Sequence, residues 1–299
     1  MKLFYFQAPE GNVGDDLNRW LWPKLLRPDL IDEDEQNLLI GIGTLLNHKI
    51  PPAQKYTVLT SGVGYGQLPN LGEGKWDFLG LRGELSKKAL NITKPVCLLD
   101  GAYLLPRFLD VKVEKKYKIA YIPHVDSMIN GQWNMVCQLA GIKLIDPRWD
   151  VDLFVRELCS CEKVLTEAMH GAILADAYGI PWSPVKAYDY ISDFKWNDWA
   201  SSLDLDYKFN ILPSTWCGDQ GKPIVRRVIN TVKRVSEKSG FFPATWTPVQ
   251  PAASSKVHIL KVTKIISGLV YKANYHLSND SLKRERTDLL MEVITNKFK

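Results

Sequence analysis

Cysteine is scarce in this chain of 299 residues, and the few cysteines present form no recognisable framework. Five occur, which is an odd number, and their spacings do not pair. The segment Cys159-Ser160-Cys161 lacks the second ligand pair that a zinc finger needs. The sequence therefore excludes a disulfide-rich secreted scaffold, and we interpret the cysteines as reduced thiols of a cytoplasmic protein.

Long apolar runs, nucleotide-binding loops and clustered metal ligands are missing as well. No apolar run approaches the roughly 20 residues that span a bilayer, and residues 1–6 are typical of a first strand rather than a signal peptide. No Gly-x-Gly-x-x-Gly or Gly-x-x-x-x-Gly-Lys-Ser/Thr motif occurs, which argues against a dinucleotide fingerprint and a P-loop ATPase. Because no His, Asp or Glu cluster has ligand spacing, we predict no metal site.

The composition is that of an ordinary globular protein with a modest basic excess. Hydrophobic residues make up 45% of the chain and charged residues 24%, and the length suits two domains of about 100–150 residues each. A net charge of +5 is compatible with anionic ligands, a membrane surface or nucleic acid, and decides nothing by itself.

Short apolar strands alternate with helices and glycine turns, which predicts parallel βαβ units. In the first domain, residues 1–112, strands are expected at 2–6, 37–41, 56–61, 77–81 and 96–99. The charged segment 111–118 is expected to be the interdomain linker. In the second domain, residues 118–242, strands are expected at 118–122, 143–145, 163–166 and 182–185. Two Rossmann-like halves leave a cleft between them, so we predict an α/β protein of GT-B-like architecture that binds its ligands there.

Residues 243–299 are expected to form a linker and a basic helical extension. The segment 243–255 is rich in Pro, Ser, Ala and Thr, which is typical of a linker. In residues 256–272, apolar positions fall near one face and lysines occupy the other. A basic amphipathic helix predicts contact of residues 256–299 with an anionic membrane surface. The alternative is a helix that packs on the protein with its lysines in water.

The most informative stretch is residues 163–182, where a short strand is followed by a turn carrying Glu167 and His170 and then by a helix that ends at Gly179. This order places a carboxylate and a histidine at the carboxyl end of a strand, over a helix N-terminus. Open α/β sheets bind ligands at that edge, and a helix N-terminus favours an anion. We therefore predict a site that binds an anion and supplies a proton. The alternative is a first-turn carboxylate beside an ordinary half-buried histidine.

Polar groups also follow other strands. They include the segment Asn12-Val13-Gly14-Asp15-Asp16-Leu17-Asn18, the turn Gly41-Ile42-Gly43, the segment Leu81-Arg82-Gly83-Glu84, and His124. Together with residues 145–182, this ordered set resembles the polysaccharide pyruvyl transferase family, in particular the branch of xanthan-type ketal pyruvyl transferases. The resemblance covers about residues 1–215.

The resemblance implies an enzyme that uses phosphoenolpyruvate as co-substrate and needs no cofactor. Its product is a pyruvate ketal that bridges two hydroxyls of one sugar. We expect that sugar to belong to a lipid-linked or polymer-repeat oligosaccharide of an exopolysaccharide at the inner membrane. It implies no nucleic-acid partner. Many relatives carry Arg-Leu-His-Gly where this chain has Ala168-Met169-His170-Gly171. The positive charge of the missing arginine must then come from Arg82, Arg148 or a lysine.

The chemistry of this reaction assigns a role to each candidate residue. His170 would bind the donor and act as the acid, and Glu167 would orient His170 or act as the base. The remaining donor-binding candidates are Arg82, His124, Arg148 and Gly171, and the donor is expected on the side of the second domain. The acceptor-binding candidates, on the side of the first domain, are Asn12, Asp15, Asp16 and Asn18. The alternatives are helix capping for Asp15 and Asp16, and a salt bridge for Arg82.

Two other functions remain open at this point. A nucleotide-sugar glycosyltransferase of the same GT-B-like architecture would be stabilised by a nucleoside diphosphate sugar. A carbohydrate-binding scaffold without catalysis would keep its function after substitution of His170 by alanine.

Overall fold

The computed structural model describes residues 1–239, 246–247 and 249–299, and within this part of the chain all strand pairs of the sheets are parallel. The first sheet has the order β1-β2-β3-β4, with β1 at Lys2–Phe4, β2 at Asn37–Ile40, β3 at Lys55–Val58 and β4 at Lys75–Phe78. A short pair lies beside it, formed by β5 at Gly80–Leu81 and β6 at Cys97–Leu98.

The second sheet has the order β11-β10-β9-β7-β8. Its strands are β7 at Ala120–Ile122, β8 at Lys143–Leu144, β9 at Val164–Thr166, β10 at Trp182–Lys186 and β11 at Asn210–Ile211. The predicted parallel α/β class is thereby confirmed. The strand predicted at 77–81 is two strands instead, because β4 pairs with β3 whereas β5 pairs with β6.

Helices pack on the sheets and connect their strands. Those preceding β11 are α1 at Val13–Leu25, α2 at Glu84–Ala89, α3 at Val125–Asn130, α4 at Trp133–Ala140, α5 at Val151–Cys159, α6 at Met169–Ala177 and α7 at Asp193–Ala200. Those following it are α8 at Ile224–Lys238, α9 at Lys256–Lys272 and α10 at Asp280–Phe298. A 3-10 helix at Gly101–Arg107 follows β6.

One hydrophobic core reaches across both sheets. The same cluster of buried side chains contains Leu39 of β2 and Leu59 directly after β3 on the first-sheet side, and Ile122 and Val164 from the second sheet. Burial of apolar surface is the main stabilising contribution to folding, so the two sheets stabilise each other. The division into two domains, one ending at residue 112 and the other beginning at residue 118, stays a prediction. Residues 110–116, where the linker is expected, form no helix or strand.

The segment after α8 is part of this packing. Ile259, Val262 and Ile266 of α9 are buried in a second cluster that also holds Trp133 of α4. The apolar face that predicted membrane contact is therefore covered by protein, as in the alternative interpretation. Among the described residues, no helix is long and apolar enough to cross a membrane.

The last helix, α10, packs back against the short pair β5–β6 beside the first sheet. Leu290 is buried in the shared core, beside β6 and the 3-10 helix. The predicted linker 243–255 lies partly outside the described residues, and the boundary predicted at 242 and 243 lies wholly outside them.

Candidate active site

A cavity of about 1010 Å³ lies at the carboxyl ends of strands from both sheets. Its walls come from the segments that follow β1, β2 and β3 in the first sheet and β7, β9 and β10 in the second. This is the edge where open parallel sheets bind their ligands. The cavity is large enough for a sugar together with a small anionic donor.

His170 is the second residue of α6 and reaches this cavity past the start of α1. Its ring lies against Gly14, where an added Cβ would be only 2.0 Å from Nδ1. Glycine at this position is therefore required for the close approach of α1 and the histidine. The side chain of His170 is 13% exposed, so it contacts the cavity while most of its ring is packed.

Asp100 lies behind His170, with its Oδ2 atom 3.7 Å from Nε2 of the histidine. Its other oxygen accepts a hydrogen bond from the backbone N–H of Ala102 at 3.0 Å and caps the 3-10 helix. Within the described residues, Asp100 Oδ2 and His170 Nε2 are both buried without a hydrogen-bond partner. A small approach would join them in a charge-assisted hydrogen bond.

The sequence marks Asp100 only as the end of a strand. Its partner lies 70 positions further along the chain, so no local pattern could connect the two residues. Asp100 is a carboxylate 3.7 Å from a ring nitrogen of His170, whereas the hydrogen bonds of Glu167 go to other residues, so the orienting role of Glu167 stays a prediction.

Glu167 connects two neighbouring segments of the cavity wall. Its Oε1 accepts from the backbone N–H of Ala187 at 2.9 Å, and its Oε2 accepts from that of His124 at 3.3 Å. The side chain is fully buried, and this burial raises the pKa of the carboxyl group. The geometry favours Glu167 as a fixed support for the loops after β7 and β10.

His124 is the N-cap residue of α3, and its Nδ1 accepts from the backbone N–H of Asp126 at 3.2 Å. An accepting Nδ1 leaves the ring proton on Nε2. Burial, and then the nearby charge of Lys195, lower the pKa of His124 to about 4. At neutral pH the side chain is an uncharged hydrogen-bond donor in the cavity wall.

Lys195 supplies a positive charge to the cavity and was missed as a site residue by the sequence analysis. Lys195 lies in α7, the helix that follows β10, and its Nζ contacts the hydroxyl group of Tyr65. Burial, and then the charge of Arg82, lower the pKa of Lys195 to about 8, so it is still protonated at neutral pH. The sequence signal was a lysine near a strand end, which is too common to single it out.

Asp15 lies on the opposite wall, in the first turn of α1. Burial raises its pKa to about 6, and the nearby His170 opposes that rise. The N-cap of α1 is Asn12, which accepts from the backbone N–H of Gly14 at 3.1 Å and donates to Asp15 at 2.7 Å. The carboxylate of Asp15 is therefore held toward the cavity by the residue that caps the helix.

Five of the predicted site residues thus line one cavity, namely Asn12, Asp15, His124, Glu167 and His170. The others lie outside its lining: Arg82, Arg148, Gly171, Asp16 and Asn18. Their predicted roles in binding stay predictions. In the structure these five residues contact other protein groups rather than the cavity.

Arg82 is fully buried and pairs with Asp198 at 2.9 Å. It also donates to the hydroxyl of Thr44 at 2.8 Å and to the carbonyl of Val63 at 2.7 Å. The salt bridge that the sequence left as an alternative for Arg82 is therefore present. Arg148 makes a two-pronged contact with Asp146, with distances of 2.8 and 2.6 Å.

The remaining three residues support the backbone around the cavity. Gly171 lies so close to β9 that an added Cβ would be 2.5 Å from the hydroxyl of Thr166. Asn18 is fully buried and both donates to and accepts from the backbone of Ile42. Asp16 pairs with Arg19 on the surface of α1 at 3.1 Å. Among the described residues, no group of three or more His, Cys, Asp or Glu could hold a metal ion.

Comparison with known proteins identifies the family. Residues 74–190 match the family described as polysaccharide pyruvyl transferase. The chain is also 39% identical over 218 residues to the succinoglycan biosynthesis protein ExoV of Rhizobium meliloti (strain 1021). This similarity covers 71% of the chain and 68% of the relative.

The chain belongs to the polysaccharide pyruvyl transferase family. It is therefore a transferase, and the family resemblance predicted from the sequence is confirmed. The stretch that matches the polysaccharide pyruvyl transferases contains His124, Glu167 and His170 of the cavity wall. Asn12 and Asp15 on the opposite wall lie before it.

Proposed function

We propose that the enzyme transfers the pyruvyl group of phosphoenolpyruvate onto two hydroxyls of a sugar in a lipid-linked exopolysaccharide repeat unit, at the cytoplasmic face of the inner membrane. The family assignment and a relative named for succinoglycan biosynthesis support this proposal. The observation that carries it is His170, backed by the buried Asp100, in the wall of a cavity that Lys195 also lines. A proton source and a cation are what this donor requires.

Donor binding falls to the second-sheet side of the cavity. Phosphoenolpyruvate carries a phosphate and a carboxylate, and we assign their binding to the ammonium group of Lys195, which lines the cavity on this side. Lys195 takes the place of the arginine that many relatives carry before their histidine. Arg82 lies behind the wall in its pair with Asp198, and His124 donates a hydrogen bond from Nε2.

The first half of the reaction joins one sugar hydroxyl to the donor. Protonated His170 gives its proton to the methylene carbon of phosphoenolpyruvate, and C2 becomes electrophilic. The first hydroxyl attacks C2 and loses its proton to Asp15, which is ionised above a pH of about 6. Asp100 holds the imidazolium in place, since its free oxygen faces Nε2.

The second half closes the ring. The bond between C2 and the phosphate oxygen breaks, and phosphate leaves with the electron pair of that bond. The second hydroxyl attacks C2 and gives up its proton, which ends on the departing phosphate. The methylene carbon has gained one proton and the sugar has lost two, one to Asp15 and one to phosphate, so the products are the ketal and hydrogen phosphate. The proton on Asp15 then returns through water to His170 for the next turnover.

The acceptor sugar would lie on the side of Asn12 and Asp15. The wall there also carries the exposed aromatic residues Phe6 and Tyr65. Aromatic rings provide flat apolar surfaces on which a sugar ring can stack. Two opposed walls, one for each substrate, correspond to the GT-B-like arrangement that we propose for this enzyme.

The test is to incubate the purified enzyme with phosphoenolpyruvate and a panel of lipid-linked or synthetic mannosides, glucosides and galactosides. We expect phosphate release that depends on one acceptor, and a mass gain of that acceptor corresponding to a ketal. The variant His170→Ala should lose this activity by a factor of about 10² to 10⁴.

Two results would contradict the proposal. One is an absence of acceptor-dependent phosphate release combined with stabilisation by a nucleotide sugar, which would favour a glycosyltransferase. The other is acceptor binding that His170→Ala leaves intact without any turnover by the parent enzyme, which would favour a scaffold.

A further inference from the structure

The helix α8 turns its apolar residues away from the protein. Exposed apolar side chains form a continuous series along it, with exposed fractions from 44% at Ile229 to 76% at Ile224: Ile224, Val225, Val228, Ile229, Val232 and Val235. At about 100° per residue, these six positions fall within one helix face about 140° wide. A helix that served only to complete the core would bury this face.

The polar face of α8 is the one that contacts the protein. Asn230 is buried and donates to Asp219 at 2.5 Å, and Arg234 donates to the other oxygen of Asp219 at 2.6 Å. Arg234 also donates to the carbonyl of Gln250 at 2.7 Å. Gln250 in turn donates to Asn130 at 2.5 Å, at the end of α3, a helix that borders the cavity. The outward direction of the apolar face is therefore fixed by specific hydrogen bonds.

Positive charges lie along the borders of the apolar face. Arg226 and Arg227 are exposed, and Lys233 is half-buried on the same helix, whose sequence contains one acidic residue, Glu237. This excess of positive charge disfavours pairing of α8 with a second copy of itself, because like charges would meet along the contact. It matches an anionic surface instead, and a wide apolar face beside basic residues is typical of helices that lie in the interface of an anionic bilayer.

We propose that α8 docks the enzyme on an anionic membrane, with Val228 and Val232 in the lipid interface and Arg226 and Arg227 at the headgroups. The docking surface is distinct from α9, whose apolar face is covered by α4. It does not depend on the reaction proposed above, since binding to vesicles can be measured without substrates. Contact through α8 would bring the cavity-bordering end of α3 close to the bilayer.

The test is flotation of the full chain with vesicles of phosphatidylcholine and phosphatidylglycerol, and with vesicles of phosphatidylcholine alone. We expect the enzyme to float with the anionic vesicles only. Raising sodium chloride from about 0.1 to about 1 M should weaken binding, because the Debye length falls from about 10 to about 3 Å.

Matched variants separate the two helices. Val228 in α8 and Leu260 in α9 are both 58% exposed, so substitution of either residue by aspartate should change the free energy of unfolding little. We expect Val228→Asp with Val232→Asp to reduce the bound fraction at least about tenfold, since each valine loses its place in the lipid. Val257→Asp with Leu260→Asp should bind like the parent. A second α8 variant, Arg226→Glu with Arg227→Glu, should lower binding while keeping the apolar face.

The proposal is wrong if the parent fails to float with anionic vesicles, or if the two aspartate pairs behave alike. It is also wrong if light scattering shows a dimer that Val228→Asp with Val232→Asp converts to a monomer, because α8 would then be an interface between copies. Unfolding temperatures of all variants establish that they are folded. Activity on a water-soluble acceptor should be unchanged in the α8 variants, so failure of membrane docking and failure of the proposed reaction are told apart.

Discussion

At the scale of single residues, the cavity wall holds a carboxyl group, that of Asp15, and an amino group, that of Lys195, whose pKa values are shifted toward each other. Burial raises the pKa of Asp15 to about 6 and lowers that of Lys195 to about 8. Both shifts have the same cause, since a buried site disfavours whichever form of a group is charged. The pair is in its working state, with Asp15 ionised and Lys195 protonated, only between these two values.

This pairing predicts a bell-shaped pH profile. We expect kcat/KM to rise as the pH increases through about 6, where Asp15 loses its proton, and to fall as it increases through about 8, where Lys195 loses its own. The measurement is initial phosphate release at low phosphoenolpyruvate concentration across the pH range. In the variant Lys195→Arg, the decrease of kcat/KM above a pH of about 8 should disappear, because arginine stays protonated there. A fall that persists unchanged in that variant would rule out Lys195 as its origin.

The free oxygen of Asp100 carries a second prediction. We expect Asp100→Asn to lower kcat on the order of a hundredfold with little change in KM, because the imidazolium of His170 loses the charge that faces it. Asparagine keeps the oxygen that caps the 3-10 helix, so the fold should persist.

The matched control is Asp146→Asn, which weakens the pair with Arg148 outside the cavity lining. Its kcat should stay near that of the parent. Equal losses in the two variants would mean that the carboxylate at position 100 has no special relation to His170.

At the scale of elements, the site depends on the start of α1 passing very close to the start of α6. Gly14 makes this contact possible, because any larger residue would meet the ring of His170. Gly268 in α9 is a glycine of the opposite kind, with nothing within 4 Å of an added Cβ and no left-handed backbone angle.

These two helical glycines give opposite predictions for the same substitution. We expect Gly14→Ala to reduce kcat at least tenfold and to lower the free energy of unfolding by about 1–3 kcal/mol, since the added methyl group displaces the histidine. Gly268→Ala should raise that free energy by about 0.5–1 kcal/mol and leave kcat unchanged. Denaturant unfolding and steady-state kinetics measure both. Normal kcat in Gly14→Ala would mean that the position of His170 is not critical.

The helices and strands also show which parts of the fold could be predicted from the sequence. The strand, turn and helix at 163–182 were predicted because their signals are local: apolar spacing, a glycine stop and a proline. The basic amphipathic pattern at 256–272 was also real, but a pattern gives the existence of an apolar face and not what covers it. The helix covered by protein is α9, whereas the helix with the exposed apolar face is α8, for which the sequence led to no prediction of membrane contact.

The same limit applies to the site residues. Glu167, His170 and His124 follow strands, and parallel strands bring their carboxyl ends to one edge, so their proximity follows from the chain order. Asp100 and Lys195 required knowledge of how the two sheets face each other. Arg82 lies at a strand end too, but its buried partner Asp198 is 116 positions away and could not be inferred.

At the scale of the whole molecule, the shared core and the Arg82–Asp198 pair join the two sheets. The pair has no exposure to solvent, and Asp198 also accepts hydrogen bonds from the backbone N–H and the hydroxyl of Ser86. This ion pair makes unfolding of one half alone costly in free energy, because the half that stays folded would then contain a buried charge without its partner.

We therefore expect one cooperative unfolding transition, and a large loss of stability in Arg82→Met. Breaking a buried pair costs about 3–5 kcal/mol, whereas Arg148→Met should cost about 0–1 kcal/mol because its pair with Asp146 is partly exposed. Calorimetry and urea unfolding followed by circular dichroism measure both. Two separate transitions in the parent, with Arg82→Met affecting one alone, would show that the halves are independent domains.

The return of α10 to β6 has a consequence for synthesis on the ribosome. Cys97 of β6 contacts the carbonyl of Arg286 across a sequence separation of 189 residues. At about 5–20 residues per second, a nascent chain reaches α10 roughly 10–40 s after β6. During that interval the apolar surface that Leu290 and Ile294 later cover is open to water and to other chains. Translation speed between the two segments should therefore control how much of the protein aggregates before it is complete.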